Sequence, residues 1–355
     1  MKKARIDNFD FIRSIAAWMI VIYHFSCSCM YNPQFADFPF YTHANGVWGE
    51  NTSVNIFFIL SGASLYYNHA NLDIHSLKKY YFDRFKGIFP LFYLIWFTVF
   101  LMNATNCRNL FYNGSPKSMI LTLLGMDGYL SYRFPQNYYI IGEWFIGALV
   151  LLYIIYPILT WCMKHCKILT TLTLFAGAFS LLWIQPLFKI QIERNLIVCL
   201  FAFWLGMLFI EHKEKLSAKW IMCVFGVIAL LFIFVKMPFN PFICAQFIAI
   251  GLFLMFYHLG GWIMQFKTAN RFFAYTGRIS YPIFLLQNLI LGKTLSLFNA
   301  QTLSIAKECV ILLVIFVLIY IFASIAAIVN KAVVNSNWFM KMQNFVYGKT
   351  PVASD

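Results

Sequence analysis

Residues 9–26 read FDFIRSIAAWMIVIYHFS, and their reading decides the fold. The run is apolar over a bilayer-compatible length, yet it holds two basic side chains, Arg13 and His24. Eleven residues of helix are three turns, which sets the two groups about 16 Å apart along the axis. Eleven steps also return to within roughly 20° of the starting direction, so both side chains fall on one face. A charge at membrane depth costs about 2.5 kcal/mol or more and is kept mainly where it faces a protein interior or cavity. The helix therefore reads as one wall of a polar passage through a membrane. In the plainer alternative, Arg13 snorkels to the interface and His24 hydrogen-bonds a neighbouring helix.

The rest of the chain agrees with a membrane setting. Of its 355 residues, 61% are hydrophobic and only 11% charged, against about 45–50% and 25% in soluble domains. The expected fold is an all-α integral membrane protein, a single polytopic bundle of about ten transmembrane helices. Apolar segments of spanning length fall near 11–31, 53–68, 88–104, 139–163, 168–187, 195–211, 219–236, 240–258, 279–296 and 306–330. The short run MILTLLG at 119–125 cannot span. Residues 1–335 are expected to form the transmembrane domain and 336–355 a short cytoplasmic tail. No further catalytic domain is expected after that tail.

The net charge of +14 excludes rather than suggests nucleic acid, because the basic residues are scattered in small groups at the ends of apolar segments. Those groups alternate along the chain. Lys2, Lys3 and Arg5, then Lys78, Lys79, Arg84 and Lys86, then Lys164 and Lys167 belong to one side, whereas 32–52 carries no Lys or Arg. The positive-inside rule then places both termini in the cytoplasm of a cell whose inner membrane the protein spans many times, in contact with membrane lipids. Cys162 and Cys166 flank His165, but no further ligand accompanies them, so no metal site is read.

Four motifs in order resemble the membrane acyltransferase-3 family. Arg13 and His24 match its R-x10-H signature. SVNIFFILSG (53–62) is similar to GVDLFFVLSG, DRFKGIFPLFY (83–93) to RxxRIxPxY, and GRISYPIFLLQ (277–287) to ISYxIYLLH. A looser match runs from Trp144 to Pro157. Four positions depart from the pattern: Gly87 replaces the second arginine, Gln287 the histidine of the ninth helix, Asn55 an acidic residue and Leu149 a glutamate.

The resemblance implies an acyltransferase with acyl-CoA, most simply acetyl-CoA, as donor substrate and no bound cofactor. The acceptor would be a hydroxyl of a lipid-linked or surface carbohydrate. An imidazole titrating near neutrality suits removal of that hydroxyl's proton, so His24 is the candidate base, or alternatively the acyl carrier. Glu143 is its candidate supporting carboxylate. Arg13, Arg84 and Lys86 are the candidate donor-binding cations, since guanidinium groups fork onto phosphate. Asn55, Ser61, Tyr281 and Gln287 are possible substrate-lining residues. A secondary transporter, or an acyltransferase acting on a small metabolite, stands as the alternative.

Overall fold

The computed structural model describes residues 4–31, 35, 38–135, 138, 140–142, 144–298 and 303–348. Its centre is α1 (Asp7–Met30), where small and branched residues alternate so that Ile12, Ala16, Val21 and Phe25 are fully enclosed. Around it stand α2 (Val54–His69), α3 (Leu77–Cys107), the single turn α4 (Met119–Leu123), α5 (Trp144–His165), α6 (Lys167–Ile184) and α7 (Leu196–Glu211). The short α8 (Lys213–Leu216) leads to α9 (Lys219–Phe234), α10 (Pro241–Ile263), α11 (Lys267–Leu295), α12 (Ile305–Val334) and α13 (Asn337–Tyr347). Each of the ten apolar segments expected from the sequence contains a helix, although the fourth is helical only from Trp144. Among the described residues, seven helices are both long and apolar enough to cross a membrane, and α7 and α9 are shorter apolar helices. Helix α2 has 16 residues and is extended at its start by a π-helical turn, Gly49–Ser53.

Two boundaries move in ways that matter for function. Helix α3 begins at Leu77, so Lys78, Lys79, Arg84 and Lys86 sit on helical turns rather than in a loop. Residues expected to trail away as a tail include α13, whose Ser336 side chain caps the Phe339 N–H and whose Gly348 ends it in the left-handed region at φ +67°. Phe339 of α13 packs on Phe82 of α3 with ring centroids 5.9 Å apart, while Trp338 and Phe345 remain exposed.

Outward-facing apolar residues explain the composition. On α12, Ile311, Ile315, Ile319 and Ala323 are buried at four-residue intervals, and Val310, Leu313, Val317 and Ile321 are exposed. Such an apolar outer face is stable in lipid and would not be in water. A two-stranded hairpin, Thr42–His43 with Gly46–Val47, closes over one end of α9. Its buried Asn45 donates to the carbonyls of Phe232 (2.5 Å) and Val235 (2.7 Å) and accepts from Met237 N–H (2.8 Å). It thereby satisfies backbone groups left unpaired at the helix end.

The closest helix crossing is α2 on α7. A Cβ on Gly62 would lie 1.9 Å from the Phe203 carbonyl oxygen, and one on Gly206 would lie 1.8 Å from that of Ile59. Both clashes are with backbone, which cannot rotate away. Gly62→Ala or Gly206→Ala is therefore expected to cost about 3 kcal/mol through overpacking, read as a lowered Tm of the detergent-solubilised protein. Gly87→Ala, which meets open space, is expected to leave Tm unchanged or raise it.

Candidate functional site

A cavity of about 1050 Å³ lies between α2, α3, α5 and α11, with Arg13 its lining residue from α1. Asn68 and Lys79 on its wall are exposed, so it opens to solvent at the end of the bundle where α1 begins and α2 ends. Arg13 enters it from α1. The guanidinium is held by Asp10, three residues earlier on the same helix, at 3.2 Å. Asp10 is buried and also pairs with Arg5 at 2.5 Å. One carboxylate thus serves two cations.

Arg84 reaches the same cavity from α3. Its guanidinium lies over the rings of Tyr80 (5.9 Å) and Tyr153 (5.7 Å), and Tyr80 donates to the Tyr153 carbonyl at 2.9 Å, fixing α3 against α5. The Arg84 Nε and the Ser64 Oγ are buried without a hydrogen-bond partner among the described residues. Buried polar groups in folded proteins are nearly always bonded, so two orphans in one cavity wall mark a place for a polar ligand. Ser61 and Tyr281 also line this cavity. The Tyr281 hydroxyl donates to the Ile88 carbonyl at 3.2 Å, joining α11 to α3.

His24 occupies a different and much smaller cavity, of about 20 Å³, with Tyr23, Gly49, Val54 and Trp144 on its walls. A Cβ at Gly49 would come within 1.9 Å of the Tyr23 ring, so the glycine keeps this chamber's packing possible. Tyr23 is stacked on Tyr41 at 5.7 Å and lies 5.6 Å from the His24 ring. The single polar passage expected along α1 is therefore divided, with Arg13 in the large part and His24 in the small one.

The other expected residues fall in several places. Glu143 lies outside the described residues; the adjacent Trp144 lies 5.7 Å under the Arg194 guanidinium. Lys86 faces α13 instead of the cavity, donating to Gln343 Oε1 at 2.7 Å and lying 5.9 Å over Phe339. Asn55 and Gln287 are buried beside the cavities but form no part of either wall. Among the residues not singled out from sequence for the site, His69, Lys79, Asp83 and Tyr347 line the large cavity. Lys79, Asp83 and Gly87 are spaced by four on one face of α3, a signal that needs only the helix start at Leu77. Tyr347 donates to Asp83 and lies 5.3 Å beneath the Lys79 ammonium. Burial, and then the Asp83 bond, push its phenol above the ordinary tyrosine range. Among the described residues, no three His, Cys, Asp or Glu side chains converge in a metal-ligating cluster.

A protein-family model described as an acyltransferase domain, of the acyltransferase-3 type, matches residues 6–329. The chain belongs to the membrane acyltransferase-3 family. The match runs from the start of α1 to the last turns of α12, so both cavities of this acyltransferase lie within it, apart from Tyr347. No curated protein and no solved structure matches the acyltransferase significantly.

Proposed function

We propose that this membrane acyltransferase moves an acetyl group from acyl-CoA to a hydroxyl of a lipid-linked or surface carbohydrate. The observation that carries this reading is the large cavity with Arg13 and Arg84 on its wall and an unpartnered Arg84 Nε inside it. Guanidinium forks suit the phosphates of coenzyme A. Under the positive-inside rule, the basic end of the bundle is cytoplasmic, where acyl-CoA is available, and both termini share that side. The thioester would lie along the cavity with its acyl end toward His24.

At His24 the acceptor oxygen attacks the thioester carbonyl while the imidazole takes its proton. The new C–O bond forms, the C–S bond breaks, and coenzyme A leaves as its thiol after recovering a proton. Arg13 and Arg84 contribute by holding the donor's anionic part at a fixed distance.

The deciding experiment supplies the purified full chain, in lipid nanodiscs, with acetyl-CoA and polysaccharide from the source cells. Release of free thiol together with base-labile acetyl ester on the polysaccharide supports the proposal. Thiol release without polysaccharide ester overturns the acceptor, and no thiol release overturns the donor. In the same assay Arg84→Gln is expected to raise the KM for acetyl-CoA by about 10- to 100-fold, the worth of a charge-assisted hydrogen bond. Lys86→Gln, which faces α13, is expected to change it by less than about threefold.

A further inference from the structure

Two aromatic side chains belong to both cavities. Phe145 of α5 and Phe284 of α11 line the large space that holds Arg13 and Arg84, and they also line the small chamber of His24. Their ring centroids are 5.3 Å apart at 65°, an edge-to-face contact. Phe145 is further bracketed by Phe58 at 4.8 Å and Phe57 at 6.0 Å, and both Phe145 and Phe284 are buried. These two rings are thus common to the wall of the large cavity and that of the histidine chamber. The pair is anchored firmly on the α5 side by its aromatic neighbours. On the α11 side it follows Pro282, which removes a backbone hydrogen bond two residues before Phe284.

The sizes of the two spaces differ by a factor that matters. About 1050 Å³ on one side faces about 20 Å³ on the other, the latter roughly the room of one or two water molecules. Gly49, Tyr23 and Trp144 line the rest of the chamber, and the Gly49 contact with Tyr23 is too tight for a Cβ. A chain of several methylenes cannot be housed beside His24 without moving packed aromatic groups.

We propose that Phe145 and Phe284 form an aromatic partition that sets acyl-chain length: a two-carbon acyl group passes to His24, and longer chains are stopped at the rings. The partition also keeps water in the large cavity away from the histidine, where it would otherwise attack the thioester carbonyl, form the C–O bond of a free acid and release coenzyme A. This inference rests on the acyl-CoA reading and deepens it. Each methylene a pocket fails to admit costs about tenfold or more in kcat/KM.

The test compares acetyl-CoA with octanoyl-CoA as donors for the full chain in nanodiscs, following thiol release with and without acceptor polysaccharide. Wild type, Phe145→Leu and Phe284→Leu are used, because leucine keeps the core apolar where alanine would leave a large cavity. The acetyl-to-octanoyl ratio of kcat/KM comes from one preparation and is insensitive to how much of it is folded. Wild type is expected to favour acetyl by at least about 100-fold. Either leucine variant is expected to shrink that ratio at least about tenfold and to raise acceptor-independent hydrolysis. A wild type that uses both donors equally overturns the partition. So does a ratio unchanged in active variants, or folded variants that use neither donor, since opening a barrier only eases passage. A wild type that releases no thiol from either donor overturns the acyl-CoA reading itself, and the partition with it.

Discussion

His24→Ala is expected to lower acetyl transfer by about 10²- to 10⁴-fold, the usual contribution of a positioned general base, while leaving the fold and coenzyme A binding intact. The imidazole lies in the small chamber lined by the aromatic pair, away from the cavity of Arg13 and Arg84, so its removal takes nothing from the groups proposed to anchor the donor. The ring's neighbour Tyr23 is also held separately by its stack on Tyr41. The check is acetyl-CoA turnover with acceptor present, set beside coenzyme A binding measured by calorimetry on the same preparation. Turnover within threefold of wild type would remove His24 from the chemistry. Loss of coenzyme A binding in step with turnover would show that the variant has damaged the donor cavity instead.

Much of this arrangement is legible in the chain itself. The eleven-residue spacing of Arg13 and His24 places both on cavity-lining positions of α1, because helix periodicity is a local property. Gly62 is an apolar-helix glycine in the sequence and a backbone-to-backbone contact in the structure. Lys86 is a different case. It lies two residues from Arg84, about 200° around the helix, and i,i+2 side chains do not share a face. That spacing argues against a common site for the two cations. Asp10 was equally available, at i−3 from Arg13.

Other features were not readable from local pattern. The docking of α13 on α3 depends on Phe82, Asp83 and Lys86 meeting residues more than 250 positions later. Phe145 and Phe284 look like any two lipid-facing or core phenylalanines among 40 in the chain. Only the approach of α5 to α11 makes them a shared wall. Tertiary contact, not propensity, assigns these roles, and no period of 3.6 residues carries that information.

The largest loss of stability from a single isosteric change is expected at Asp10. Its side chain is 3% exposed and faces Arg5 at 2.5 Å and Arg13 at 3.2 Å. Gly277 of α11 lets the carboxylate fit, since a Cβ there would stand 3.0 Å from both Asp10 Cβ and Oδ1. Asparagine has nearly the same shape, so Asp10→Asn removes charge without opening a void. Two guanidinium groups then share a neutral amide, with Asp7 left as a counter-charge to Arg5, and breaking a buried pair from one side costs at most about 3–5 kcal/mol. Arg5, half exposed, can turn to water, but Arg13 is held further inside at 31% exposure. The cost should therefore come chiefly from Arg13, which makes the double variant informative. Asp10→Asn with Arg13→Gln leaves neither charge stranded and is expected to recover about 1–3 kcal/mol of the single-variant loss, the range of coupling between contacting residues. Thermal unfolding of wild type, both single variants and the double in one detergent measures that coupling. Additive losses would mean that Asp10 supports the fold without reference to Arg13. A positive recovery would instead tie the orientation of Arg13 to a carboxylate one turn away, so that the same pair stabilises α1 and holds its cation at the cavity wall.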